Sequence, residues 1–128
     1  DLNREKFKSE NLLAVLNNTE SNANKNLKYL RNAMDIRSEL KQFHPCSEMK
    51  CLSKGRSDIV VIKRSKGPKS VFAIHNMTEN KINYQLSDND LPKIIDNNFN
   101  VQDFLTSTRY NCKNISLDPF QVIWLSPL

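Results

Sequence analysis

Glycine is almost missing from this chain: Gly55 and Gly67 are the only two in 128 residues. A glycine-rich loop that would bring backbone amides against a phosphate is therefore excluded, and P-loop and dinucleotide-binding readings go with it. No apolar run approaches the roughly 20 residues needed to span a bilayer, so no membrane partner is expected. No charged segment leads into an apolar one, as a signal peptide would require. Neither Cys-x-x-Cys nor His-x-x-x-His spacing occurs among His44, Cys46, Cys51, His75 and Cys112. They read as core or strand residues, and no metal is expected. A Cys–His nucleophilic pair has no third group placed to orient it. Three cysteines leave at least one thiol free in any intramolecular pairing, which points to reduced cysteines in a cytoplasmic protein. The chain opens at Asp1 without an initiator Met and reads as a fragment or a processed form.

What is present is charge, asparagine and short apolar runs. The net charge of +5 raises a nucleic-acid reading, with Lys50, Lys54, Arg56, Lys63, Arg64, Lys66 and Lys69 opposed only by Asp58. A phosphate-tracking surface needs such residues on one face with aromatics between them. Here they sit at turns and strand ends with no aromatic interleaved, so a solvated surface is expected and no nucleic-acid partner. Asn17-Asn18-Thr19, Asn76-Met77-Thr78 and Asn114-Ile115-Ser116 match the glycosylation acceptor pattern and are read as coincidental in an Asn-rich chain.

The centre of the pattern is Asp58–Thr78. Ile59–Ile62 and Val71–Ile74 flank a connector holding Ser65, Gly67 and Pro68, which predicts a hairpin with both faces covered. Phe120–Leu125 has the same character and is expected to be a third central strand, with Phe120 and Trp124 on one face and both in the core. Glu48–Leu52, the alternating Ile82–Leu86, Val101–Leu105 and a last strand within 115–125 complete the set. Leu91–Ile95 is ambiguous and reads as one helical turn with Pro92 at its start. Ahead of them, Ser9 is placed to cap a short helix over Leu12–Leu16. Leu27, Leu30, Ala33, Met34, Ile36, Leu40 and Phe43 form one stripe of a helix from about Ala23 to Phe43, ended by His44-Pro45. The fold class expected is mainly β: an antiparallel sandwich preceded by an amphipathic helix. A stripe so wide, with one sandwich to cover it, is expected to pack on material outside this chain.

Three stretches, in order, resemble a known family. Asp1-Leu2-Asn3-Arg4 is similar to the Arg-Asp-Ile-Asn-Arg motif of sucrose phosphorylases and related glucosyl phosphorylases of the α-amylase clan, glycoside hydrolase family 13. The segment from Met34-Asp35-Ile36-Arg37 to Phe43-His44-Pro45 resembles the last helix of that family's (β/α)8 barrel. Ser57–Asn76 and Leu117–Leu125 resemble strands of its small C-terminal β-domain. The resemblance implies that residues 1–45 are the loop and last helix of a truncated barrel, and 46–128 the C-terminal antiparallel β-domain. The implied partner is the N-terminal barrel of the same enzyme; the intact enzyme would take a small sugar and phosphate. Arg4 matches the motif Arg that lines the glucosyl-binding subsite, and Asn3 matches beside it. The family's nucleophile Asp, acid/base Glu and transition-state Asp lie upstream, so no catalytic residue is assigned to this chain, and no cofactor is implied. Glu5-Lys6-Phe7 stands where sucrose-specific members carry His-Tyr-Tyr, which leaves fructose, glucosylglycerate or another acceptor open.

The leading expectation is thus the C-terminal part of a retaining α-glucosyl phosphorylase or glycosidase, inactive alone. Two other readings stand beside it: a stand-alone β-sandwich carbohydrate-binding module, and a basic nucleic-acid-binding domain.

Overall fold

The computed structural model describes residues 8–91 and 99–127. The chain divides into two compact units, Asp1–Arg37 and Ser38–Leu128.

In the first unit, α1 (Ser9–Asn17) and α2 (Asn22–Glu39, which runs just past the boundary) are joined by a tight polar turn. The expected Ser9 cap is not made: Ser9 is the first helical residue, and Lys8 precedes it without a side-chain cap. The capping falls to Ser21 instead. Its hydroxyl accepts from the Asn24 amide at 3.1 Å and donates to the Val15 and Asn18 carbonyls at 2.6 and 2.8 Å. One serine therefore closes the end of α1 and opens α2. Asn24 adds a bond from Nδ2 to the Leu16 carbonyl at 2.6 Å and is the one buried residue of α2. The apolar residues of these helices stay largely outside: Leu13 is 58% exposed, Leu30 56% and Met34 68%.

The long helix ends at Glu39, four residues before the predicted Phe43. Leu40 is extended, and Lys41–Phe43 make a 3-10 turn. The reason is tertiary: Phe43 is used against the sheet of the second unit, its ring centroid 4.9 Å from that of Trp124.

Among the described residues the second unit holds eight strands: β1 (Glu48–Cys51), β2 (Ile59–Lys66), β3 (Lys69–Asn76), β4 (Ile82–Tyr84), β5 (Asn100–Asp103), β6 (Arg109–Asn111), β7 (Ile115–Leu117) and β8 (Val122–Pro127). Six form one sheet in the order β1-β2-β3-β8-β5-β6; β4 and β7 form a second, and every pairing is antiparallel. The expected hairpin is the sheet's spine. β2 and β3 pair from Ile59↔Asn76 to Lys66↔Lys69, leaving Gly67-Pro68 as a two-residue loop. Gly67 has φ +58°, the positive value a II′ hairpin turn needs at its first central residue.

Alternation along these strands sets the core. Ile59, Val61, Phe72, Ile74, Ile123, Leu125 and Val101 point inward from the large sheet. They meet Leu86, Ile115, Leu117 and Cys112, all with no exposure. Val60, Ile62, His75, Val122 and Trp124 alternate to the outer face and are half-buried. The described residues are mainly β and antiparallel, with two α-helices before the strands.

Two expectations fail near the end. Residues 115–125 are two strands in different sheets, because Asp118–Gln121 turns the chain between them: the Gln121 amide donates to the Asp118 carbonyl at 3.1 Å. Phe120 lies in that turn at φ +56° and is 65% exposed, so it is neither a strand nor a core residue. Trp124 is in a central strand but on its outer face, half-buried. Leu91–Ile95 lies mostly outside the described residues.

Candidate functional site

The basic residues between Lys50 and Lys69 are divided by strand alternation and largely engaged. Arg56 grips Asp58 through two bonds of 2.8 and 2.5 Å and lies 5.8 Å from the Tyr84 ring centroid. Hydrogen bonding between them raises the Arg56 pKa and lowers that of Asp58. Lys50 bonds an Asp90 carboxylate oxygen at 2.9 Å, while Lys63 donates to the Asp90 carbonyl at 2.6 Å and sits over Phe72. Arg64, on the opposite face, donates to the Gln42 and His44 carbonyls at 3.2 and 2.6 Å. Three of the seven cations thus tie loops to the sheet and a fourth pairs within its own loop, and the geometry gives no continuous basic track.

The zinc-type residues also stay apart: among the described residues no group of three or more His, Cys, Asp or Glu side chains converges. Cys46 and Cys51 are exposed thiols and Cys112 a buried one. His75 is half-buried on the outer face, and burial lowers its pKa.

Two buried polar residues that sequence reasoning passed over organise the turns. Asp103, with no exposure, accepts from the Trp124 amide at 2.8 Å, the Leu105 amide at 3.2 Å and the Thr106 hydroxyl at 2.7 Å. Asn76, 2% exposed, donates through Nδ2 to the Asn80 and Asp118 carbonyls at 2.7 and 2.9 Å. Its Oδ1 accepts from the Thr78 amide and hydroxyl at 2.9 and 2.8 Å. Asn76 therefore joins the β3–β4 and β7–β8 connections, and its amide is fully used within the fold. The signal was local: Asp followed by a Thr-Ser-Thr run, and Asn two residues before Thr, are Asx-turn patterns.

One cleft of about 550 Å³ is lined by Leu40, Pro68, Phe104 and Pro127, with Lys41 and Lys69 beside them. Glu39 is the single carboxylate in its lining. Retaining glucosyl transfer uses two carboxyls about 5–5.5 Å apart, so this cleft does not supply that chemistry. Asn3 and Arg4, the residues expected to bind substrate, lie outside the described residues.

Three solved structures share this architecture. AmyP, in complex with maltotriose, superposes with a TM-score of 0.69 at 17% identity, over 86% of this chain and 22% of that one. The neighbours are enzymes of the α-amylase family. The trehalose-6-phosphate hydrolase of Bacillus licheniformis gives 0.66 at 16% identity, over 91% of this chain and 20% of its own. An Anoxybacillus α-amylase gives 0.64 at 14%, over 87% and 24%. At these identities the likeness lies in the fold, and this chain spans about a fifth to a quarter of each neighbour's length. No protein-family model and no curated protein matches the sequence.

Proposed function

We propose that this chain is the C-terminal part of an α-amylase-type enzyme, a non-catalytic β-domain with the last barrel helix ahead of it. The observation that carries this reading is the proportion of the match: nearly all of this chain resembles a minor part of much larger enzymes. The exposed leucines and methionine of α1 and α2 support it, because helices normally bury such a face. In this reading residues 1–45 belong to the barrel and 46–128 to the β-domain. The barrel is the partner that covers the helices, and the cysteines, two of them exposed thiols, suit a reducing cytoplasm.

The finer assignment is a retaining glucosyl phosphorylase acting on a sucrose- or glucosylglycerate-type substrate. It rests on the resemblance of Asp1–Arg4 and residues 34–45 to that group. Arg4 would contact the glucosyl unit, with Asn3 beside it, while the carboxylates come from the barrel. Sequencing the coding region upstream of Asp1 tests the domain reading. A barrel-sized in-frame region is expected, and a start codon a few residues away would overturn it. Phosphorolysis of sucrose and of glucosylglycerate by the full-length enzyme, with and without Arg4→Ala, tests the finer one. Turnover should fall in the variant with little change in melting temperature, since a substrate-positioning contact is lost rather than a packed one.

A second reading, a carbohydrate-binding module, is favoured by one observation: Phe120 is 65% exposed at a turn, where a ring could stack on a sugar. Affinity electrophoresis in a glucan gel, comparing Phe120→Ala with the parent, separates the two; retardation lost in the variant would support the module.

A further inference from the structure

We propose that β1 is an association edge, pairing with β1 of a second copy of this chain about a two-fold axis through Met49. β1 is the terminal strand of the six-stranded sheet, and all four of its residues are exposed. Its inner side is fixed by the ladder to β2. The Leu52 amide donates to the Val61 carbonyl at 2.9 Å, and the register continues as Lys50↔Lys63 and Glu48↔Ser65. In an antiparallel ladder alternate residues turn their amide and carbonyl to the same neighbour, so Leu52, Lys50 and Glu48 face β2. Met49 and Cys51 then direct theirs outward, and a strand edge of this kind is a template for another strand.

The side chains select the partner. Natural edges repel strands by placing charge along them, and like charges directly opposite each other are destabilising. Here the order Glu48-Met49-Lys50 is self-complementary. Antiparallel pairing centred on Met49 sets Glu48 opposite Lys50 of the other copy, and Lys50 opposite its Glu48. The two Met49 residues meet on the axis and exchange both N–H···O=C bonds. Their side chains, each 67% exposed in the single chain, cover one another on the outer face. A one-residue slip in register would oppose like with unlike faces and lose both ion pairs. The self-complementary pairing of a patch with itself is what a closed two-fold dimer requires. The Lys50–Asp90 bridge leaves 68% of the Lys50 side chain exposed and able to reach a second carboxylate.

Sedimentation velocity of the full 128-residue chain across a concentration series is the test. Glu48→Lys alone and Lys50→Glu alone should each weaken dimerisation about tenfold, by replacing two attractions with two repulsions. The double exchange should restore it. Met49→Pro should abolish it while leaving the fold intact, because proline removes a donor that points away from β2. Circular dichroism of each variant confirms the fold. Dimerisation that ignores the single reversals, as association through the exposed helical leucines would, overturns the proposal. So does a chain that stays monomeric throughout, or a double exchange that fails to recover.

Discussion

Asp103→Ala should be among the most damaging single changes in the second unit, although no ligand or chemistry is attached to this residue. The carboxylate is wholly buried and holds three donors: the Trp124 amide on β8, the Leu105 amide in the turn after β5, and the Thr106 hydroxyl. Its own backbone closes the same turn, accepting from Ser107 and donating to Thr108 at 2.8 Å each. Alanine keeps the backbone bonds and strips the rest. A hydrogen bond to a charged group contributes about 1.5–3 kcal/mol, and each buried amide left without a partner costs about 1–3 kcal/mol. These terms overlap, so about 3–5 kcal/mol is the expected total rather than their sum. Against a whole-domain stability of about 5–15 kcal/mol, that brings the unit close to unfolding. Asp103→Asn retains one acceptor for the two amides and should cost about 1–2 kcal/mol. Trp124, the only tryptophan, stands on the strand that Asp103 clamps, so urea melts followed by its fluorescence read this unit alone. With a urea slope of about 1–3 kcal/mol per molar, the alanine variant should lose at least about 1 M in midpoint. An alanine midpoint equal to that of the asparagine variant, or a shift under about 0.3 M, would refute the reasoning.

Asn76→Ala removes four hydrogen bonds at a 2% exposed site and should cost about 2–4 kcal/mol in the same melts; in a glycosylating host, peptide mass spectrometry of the folded protein should find Asn76 unmodified. Trp124→Ala should cost about 1–3 kcal/mol, less than a fully buried tryptophan, since its ring is half-buried against Phe43; thermal melts of Trp124→Ala and Phe43→Ala, singly and together, should be non-additive. Burial lowers the His75 pKa, so the unfolded chain binds the proton more readily. Stability should therefore decline as pH falls below the ordinary histidine value of about 6.5 and level off beneath the folded value. His75→Gln should flatten that part of a pH–stability profile.

The strands that could be read from the sequence were those whose apolar residues are dense enough to need no context. Ile59–Ile62 and Val71–Ile74 become β2 and β3, with Gly67-Pro68 as the loop, and Val122–Leu125 becomes the neighbour of β3. β6, Arg-Tyr-Asn, could not be read this way, because Tyr110 is its only apolar residue and pairing with β5 makes it a strand. Periodicity also carried α2 too far. A continuous stripe through Leu40 and Phe43 looks helical, yet contact with Trp124 takes Phe43 out of the helix, a tertiary interaction overriding a local pattern. Phe120 failed for the opposite reason. The i, i+4 spacing to Trp124 assumed one uninterrupted strand, and the Asp118–Gln121 turn breaks it. Of the candidate site, the division of the basic residues was foreseeable from their positions at turns and strand ends. The partners of Arg64 and Lys63 were not, because the Gln42 and Asp90 carbonyls they reach are 22 and 27 residues away in sequence.

The two units satisfy their residues unequally, and this bears on function. In the second unit the core residues have no exposure, and Asp103 and Asn76 have every polar atom engaged, so it has what an independently stable domain needs. In the first unit α1 buries no residue and α2 buries only Asn24, whose Oδ1 is buried without a partner. Two helices of 9 and 18 residues gain little from propensity alone, since most helical stability in proteins comes from burying an apolar face. The Ser21 cap and the Asn24–Leu16 bond fix how these helices join, but such bonds contribute only about 1 kcal/mol each. Precise capping together with unburied leucines is the combination expected of a segment shaped to dock onto a larger body. That asymmetry supports the proposed domain reading independently of the fold comparison, because in that reading the barrel docks on the helices.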